Sequence, residues 1–101
     1  MTITEAYSTF LDDRRVNGLA DSTIAFYEDT VGKFAQFCDN CRLEKASQRI
    51  NPYLLSLKNR GLAQNTLHAH WRGLRAFWNF AHVEGFIEHR PKLPQIREER
   101  L

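Results

Sequence analysis

The sequence lacks acidic residues over the long stretch from Lys45 to Val83. Six lysines and arginines fall in this stretch, which gives it a net charge of +6, whereas residues 1–44 carry eight acidic and four basic residues, net −4. Residues 84–101 balance at zero, so the whole chain has a formal charge of only +2. A stretch that carries only positive charges indicates an anionic partner, most often nucleic acid. A solvated basic surface without a ligand remains the alternative.

Long apolar runs and targeting signals are also lacking. No apolar stretch approaches the ~20 residues that cross a bilayer, so we expect no membrane partner. The first residues have neither the basic start nor the apolar segment of a secretory signal. With 101 residues, of which 43% are hydrophobic and 26% charged, we expect one soluble, cytoplasmic domain.

Catalytic motifs are absent from the sequence as well. It contains no G-x-x-x-x-G-K-[ST], no G-x-G-x-x-G and no H-E-x-x-H. The adjacent carboxylates of Asp12-Asp13 and Glu98-Glu99 would point apart on a helix, and we interpret them as solvated surface. We therefore expect no enzyme activity, no cofactor and no small-molecule substrate in this chain.

Only two cysteines occur, Cys38 and Cys41, in a C-x-x-C arrangement. A zinc site would need a second pair of ligands, which His68 and His70 would supply only by a coincidence of folding. We predict Cys38 on an apolar helix face and Cys41 in a loop, and no metal site. A small metal-binding helical domain is the weaker alternative.

Apolar residues recur at spacings of three and four, which predicts four helices and an all-α fold. The predicted helices cover about residues 4–16, 21–39, 47–59 and 64–83, with a polar connection at 40–47. For the third helix, either Asn51 is the cap and Pro52 the first helical residue, or a helical turn precedes a slightly kinked Pro52. Phe86 and Ile87 are expected to pack back onto the bundle. Residues 91–101 contain two prolines and read as an extended linker.

The chain repeats itself with an offset of 43 residues, because Gly18-Leu19-Ala20-x-x-Thr23-Ile24 is echoed by Gly61-Leu62-Ala63-x-x-Thr66-Leu67. Phe10-Leu11 is likewise echoed by Tyr53-Leu54. The repeat predicts two helix pairs of one plan packed as a four-helix bundle. His70 takes the place of Tyr27, and we interpret it as a packing residue rather than a ligand.

The repeat also provides an internal control for function. His68, Arg72 and Arg75 lie at i, i+4 and i+7 on the polar face of the fourth helix, and their counterparts are Ala25, Asp29 and Gly32. Since the scaffold does not require positive charge there, a ligand role is favoured. Thr23 and Thr66 are candidates to bind phosphate, with simple helix capping as the alternative. Gln64 and Asn65 are candidates to bind base edges, and Lys33 is a candidate contact at the rim of the DNA-binding surface.

Three segments carry a family resemblance: Gly61–Leu67, then Leu74-Arg75-x-Phe77-Trp78-x-Phe80-Ala81, then Glu84-Gly85-Phe86-Ile87 with Pro91. Together with Gly18–Tyr27 they resemble the N-terminal core-binding domain of tyrosine recombinases of the phage-integrase type. The resemblance spans about residues 4–94. It departs at Ala20 and Ala63, where the family favours a serine cap, and at Arg90, where it favours asparagine.

The resemblance implies a SAM-like four-helix domain at residues 4–90, followed by the start of a linker to a catalytic domain that this chain does not contain. It implies double-stranded DNA as partner, with the second and fourth helices over the major groove, and contacts with other recombinase protomers in the full-length protein. The implied function is DNA binding in site-specific recombination and DNA integration. The alternative is a helical protein–protein interaction module whose basic face meets an acidic partner.

Overall fold

A computed structural model describes residues 1–98, in which four helical segments form a bundle. The first segment is helix Ile3–Val16 (α1). The second joins helix Asp21–Tyr27 (α2), a π-helical turn at Glu28–Gly32 and helix Lys33–Phe37 (α3). The third joins helix Leu43–Ala46 (α4), a 3-10 turn at Ser47–Arg49 and helix Ile50–Asn59 (α5), and the fourth is helix Gln64–Val83 (α6). The predicted all-α, four-helix fold is confirmed.

Local signals set the ends of these helices. Thr2 and Glu5 form a capping box at α1, because the Glu5 amide donates to Thr2 Oγ1 at 3.2 Å and the Thr2 amide donates to Glu5 Oε1 at 3.0 Å. Gly18, Gly61 and Gly85 follow α1, α5 and α6 with φ of 75°, 80° and 77°. Glycine adopts this left-handed conformation without steric cost, so each residue ends its helix where the sequence predicts.

The predicted polar connection at residues 40–47 is wrong in part. Leu43 and Ala46 belong to α4 and are fully buried. The Leu43 amide donates to the carbonyl of Met1 and the Ile3 amide donates to that of Cys41, so this segment holds the N-terminus in place. Only two apolar residues lie in the segment, too few to show a helical period among their polar neighbours.

Helical structure before Pro52 agrees with the second of the two predicted starts for the third helix. The α-helix begins at Ile50, two residues before the proline, and a 3-10 turn precedes it. Burial of Ile50, 2% exposed, favours this start. Pro52 still lies within the first turn, where its missing N–H leaves no intrahelical bond unmade.

The aromatic core shows that the sequence repeat is a pseudo-twofold symmetry of the fold. Each ring contact made by Phe10 has a counterpart made by Tyr53, its equivalent 43 residues later. Phe10 lies 4.8 Å from Tyr27, 5.6 Å from Phe77 and 5.4 Å from Phe80, measured between ring centroids. In the same order, Tyr53 lies 5.7 Å from His70, 5.4 Å from Phe34 and 5.3 Å from Phe37, which are the residues equivalent to those three. The two helix pairs therefore bury equivalent faces against each other.

Thr30 and Gly73 mark the axis of this symmetry. They are equivalent under the offset and also touch each other: a Cβ at Gly73 would lie 2.1 Å from Thr30 Oγ1. Thr30 lies in the π-helical turn, is 4% exposed and donates its hydroxyl to the Phe26 carbonyl at 2.9 Å. The glycine therefore allows α6 to approach the second segment closely at the centre of the bundle.

His70 is a packing residue, as predicted. It is 7% exposed, and its Nδ1 lies 3.0 Å from the Tyr53 hydroxyl. Burial lowers the pKa of His70 from its ordinary value of 6.5, and the nearby charges of Lys33 and Arg60 lower it further. The ring is therefore neutral in the folded state over a pH range in which an exposed histidine would be protonated.

We expect the stability of the fold to fall on mild acidification because of His70. The unfolded chain takes up the proton near pH 6.5, before the folded state does, so this contribution is complete above that pH. It is lost as the pH falls from there through the lowered pKa of the folded state. Urea unfolding between about pH 8 and 5 should show a declining midpoint. The double variant Tyr53→Phe/His70→Phe, which removes both partners of the hydrogen bond, should lose most of this decline; an unchanged decline would contradict the assignment.

The two cysteines take the predicted positions. Cys38 is 2% exposed in the core and Cys41 is half-buried in the turn that follows, where its amide donates to the Cys38 carbonyl at 3.2 Å. Burial raises the pKa of Cys38 to about 12. Within residues 1–98 no group of three or more potential metal ligands forms.

The segment after α6 packs back onto the bundle. Phe86 and Ile87 lie against the core, as predicted, and the Phe86 ring is 5.9 Å from that of Phe80. Leu93 and Ile96 also lie against the core. Residues 91–98 have no regular secondary structure, and residues 99–101 of the predicted linker lie outside the described part of the chain. Within the described part, no helix combines the length and apolar character needed to span a bilayer.

Candidate nucleic-acid interface

Helices α2 and α6 begin in the same unusual way. Their N-caps are Ala20 and Ala63, both in extended conformation, and neither provides a side-chain acceptor. Thr23 and Thr66 are the third residues of these helices, and neither hydroxyl caps the helix. The capping interpretation of the two threonines is therefore wrong.

A surface groove lies between the second helical segment and α6, with the half-buried ring of Phe26 at its centre. The guanidinium carbon of Arg72 lies 5.0 Å from the centre of this ring, so an α6 cation covers an α2 aromatic. Five of the eight predicted DNA-binding residues line the groove on the two sides of Phe26. On one side are Ser22, Thr23, Tyr27 and Arg72, and on the other are Asp29, Thr30, Lys33, Asn65, Thr66, Ala69 and His70.

A second aromatic and cationic cluster lies on α6 itself. The His68 ring stacks on the Trp71 ring at 5.4 Å with an interplanar angle of 28°, and the Arg75 guanidinium lies 5.6 Å from the centre of the same indole. Spacings of three and four residues place all three side chains on one helix face. The Trp71 ring is partly exposed, but its Nε1 is buried and has no hydrogen-bond partner among the described residues.

Gln64 is the predicted residue that the structure separates from the rest. Its side-chain Nε2 donates to the backbone carbonyl of Arg97 at 2.9 Å. It lies in a different groove, formed with α5 and the C-terminal segment that includes Ile96. The structure therefore brings Thr23, Lys33, Asn65, Thr66 and Arg72 together around Phe26, and His68 and Arg75 together at Trp71.

The two arginines of α6, Arg72 and Arg75, are both exposed. Within residues 1–98 neither Arg72 nor Arg75 has a carboxylate within ion-pairing distance. Arg14 differs, although it also lies over aromatic rings, because it pairs with Asp13 at 2.9 Å and is half-buried. Asp29 is the acidic side chain in the lining of the groove, on the α2 side. The positive potential of this surface is therefore centred on α6.

Phe26 and Trp71 are the residues of this surface that sequence reasoning missed. The position of Trp71, four residues after the buried Leu67, is typical of a core residue of the helix, whereas the structure places it half-buried at the edge of the apolar face. The spacing of Trp71 and Arg75, four residues apart on one helix, was a usable signal for their contact. Nothing in the spacing predicts that Phe26 contacts Arg72, since the two lie on different helices.

The family described as phage integrase, N-terminal SAM-like domain, matches residues 7–85. The chain belongs to this family, as the sequence resemblance predicts, and its all-α bundle agrees with a SAM-like domain. Searches of curated proteins and of solved structures gave no match.

Proposed function

We propose that this chain binds double-stranded DNA as the non-catalytic N-terminal domain of a tyrosine recombinase. Membership of the phage-integrase family supports a role in site-specific recombination. The observation that carries DNA binding is the pair of exposed arginines on α6, Arg72 and Arg75, neither of which is ion-paired within residues 1–98. Guanidinium groups free of protein anions are suited to bind phosphate oxygens or guanine edges.

The shape of the surface supports α6 as the main contact. An α-helix fits the major groove, and the first twelve residues of α6 include Asn65, Thr66, His68, Arg72 and Arg75, all of them exposed or half-buried. Gln64 would join them only if the contact with Arg97 opened. On the second helical segment, Thr23 of α2 and Lys33 of α3 would approach the DNA backbone, whereas the Asp29 carboxylate between them would repel its phosphates.

The chemistry of strand cleavage would belong to a following domain. Tyr53 is buried, Tyr7 and Tyr27 are half-buried, and all three pack against the core, so none is presented as a nucleophile. The family match identifies only the N-terminal SAM-like domain. We propose residues 4–90 as the DNA-binding domain and residues 91–101 as the start of the linker to the catalytic domain.

A protein–protein role is the second candidate function. Leu55 on α5 is 56% exposed, and Val83 at the end of α6 is 81% exposed. Apolar residues at the surface are suited to contact neighbouring recombinase protomers. Such protein contacts would be compatible with DNA binding by α6. An acidic protein partner on the α6 surface would instead compete with DNA.

Fluorescence anisotropy with a labelled mixed-sequence duplex, measured across a salt series, tests the proposed function. We expect affinity to fall steeply with salt, with a slope equivalent to roughly two to five released counterions. Absence of binding to the duplex at low salt would count against DNA binding by this chain and favour the protein-interaction alternative.

A further inference from the structure

We infer that Phe26 and Trp71 are positioning residues, which hold the guanidinium groups of Arg72 and Arg75 ready for DNA phosphates. This inference rests on the proposed DNA-binding function. Each ring is partly exposed and each supports one arginine, at 5.0 Å for Phe26 with Arg72 and 5.6 Å for Trp71 with Arg75. A ring face attracts the cation without using its N–H groups, which stay available for phosphate oxygens.

The pseudo-twofold symmetry shows that the scaffold does not need these pairs. The symmetry counterparts of Phe26 and Arg72 are Ala69 and Asp29, which provide neither a ring nor a cation. The counterparts of Trp71 and Arg75 are Glu28 and Gly32. Since the equivalent places in the other helix pair fold without such contacts, packing alone does not account for the two rings.

Neither ring offers a polar group to DNA, so each acts through its arginine. Phe26 has no donor or acceptor, and the Trp71 Nε1 is buried away from solvent. A long arginine side chain loses rotamer freedom when it binds a phosphate. A ring that already restricts the side chain lowers this entropic cost, which improves affinity without adding a DNA contact.

A double-mutant cycle with the same labelled duplex tests the pair of Phe26 and Arg72. We expect Phe26→Leu to weaken binding roughly two- to fivefold, the effect of one surface cation–π contact. In the Arg72→Ala background the same change should have no further effect, because the side chain that Phe26 positions is gone. Phe26→Tyr, which keeps the ring face, should retain the wild-type affinity.

Phe37→Leu is the matched control for the loss of a surface ring. Phe37 is 37% exposed and its ring lies 5.3 Å from a tyrosine ring, much as the Phe26 ring lies 5.4 Å from that of Tyr27. No cation covers Phe37 in the described part of the chain. We expect Phe37→Leu to lower the thermal unfolding midpoint about as much as Phe26→Leu does, with unchanged DNA affinity.

The outcomes separate the inference from the proposed function. If Arg72→Ala binds the duplex as tightly as the wild type, the proposed DNA surface fails and the inference fails with it. If Arg72→Ala weakens binding but Phe26→Leu does not, or if the two losses are additive, only the positioning role is overturned. The cycle of Trp71→Leu with Arg75→Ala, analysed in the same way, tests the second ring.

Discussion

Gly73→Ala is expected to lower the free energy of unfolding by about 2 kcal/mol, although alanine is the better helix former. In an uncrowded helix the same change would raise stability by up to about 1 kcal/mol. The new Cβ, however, would lie 2.1 Å from Thr30 Oγ1 and 2.7 Å from Thr30 Cβ. Thr30 is short, β-branched and buried, so it cannot turn away, and α6 must move from the π-helical turn. Urea unfolding followed by circular dichroism measures the change.

Gly32→Ala is the control for this prediction. Its Cβ would approach the Tyr7 hydroxyl at 2.7 Å, but this is the far end of a flexible, half-buried side chain that moves at little cost. We expect a change of less than about 1 kcal/mol there. Thr30→Gly combined with Gly73→Ala transfers the glycine across the symmetry axis and should recover part of the lost stability. A Gly73→Ala variant as stable as the wild type would contradict the close approach at the axis.

The repeat explains why so much of the fold could be predicted from one sequence. The offset matches Phe10 with Tyr53 and Thr23 with Thr66, and the first helix of each pair ends at a glycine, Gly18 or Gly61, with the predicted role. What the repeat does not predict is where the two copies touch. Thr30 and Gly73 are equivalent by position, but their contact depends on how the copies pack across the axis.

The boundaries that were predicted incorrectly lie where tertiary contacts override local pattern. Leu43 and Ala46 form a short helix because they are buried under the N-terminus, and two apolar residues carry no period of their own. For the third helix the sequence left two starts open, and burial of Ile50 favours the one ahead of Pro52. In both segments the free energy gained by burial exceeds the weak local preference.

The candidate site was predicted as a set of polar residues, and its aromatic component was not. Arg72 and Arg75 could be predicted because the positions 43 residues earlier, Asp29 and Gly32, carry no positive charge, and this comparison needs only the sequence. Phe26 and Trp71 are largely apolar, and an apolar residue at the edge of the apolar face of a helix is predicted to be buried in the core. Gln64 was included because side-chain amides can hydrogen-bond to base edges. Its contact with Arg97 joins residues 33 positions apart, so no local sequence pattern predicts it.

Arg72→Ala combined with Arg75→Ala is expected to weaken duplex binding roughly thirtyfold at low salt, if each arginine contributes about 1 kcal/mol. The salt dependence should become shallower by about two counterions, because two phosphate contacts are lost. The helical fold should be retained, since both side chains are exposed and neither is ion-paired within residues 1–98. Anisotropy between about 50 mM and 200 mM salt measures the affinity and the slope together.

The matched control for the arginine pair is Arg15→Ala with Arg42→Ala. It removes the same formal charge from residues that lie on α1 and before α4, paired with Asp12 at 3.8 Å and Glu44 at 3.6 Å. We expect at most a small loss of affinity from this control, through the general field of the protein. Lys33→Ala, on the α2 side beside Asp29, should also cost less than the α6 pair. Equal losses from the α6 pair and the control would mean that net charge alone attracts DNA, and would remove α6 as the main contact.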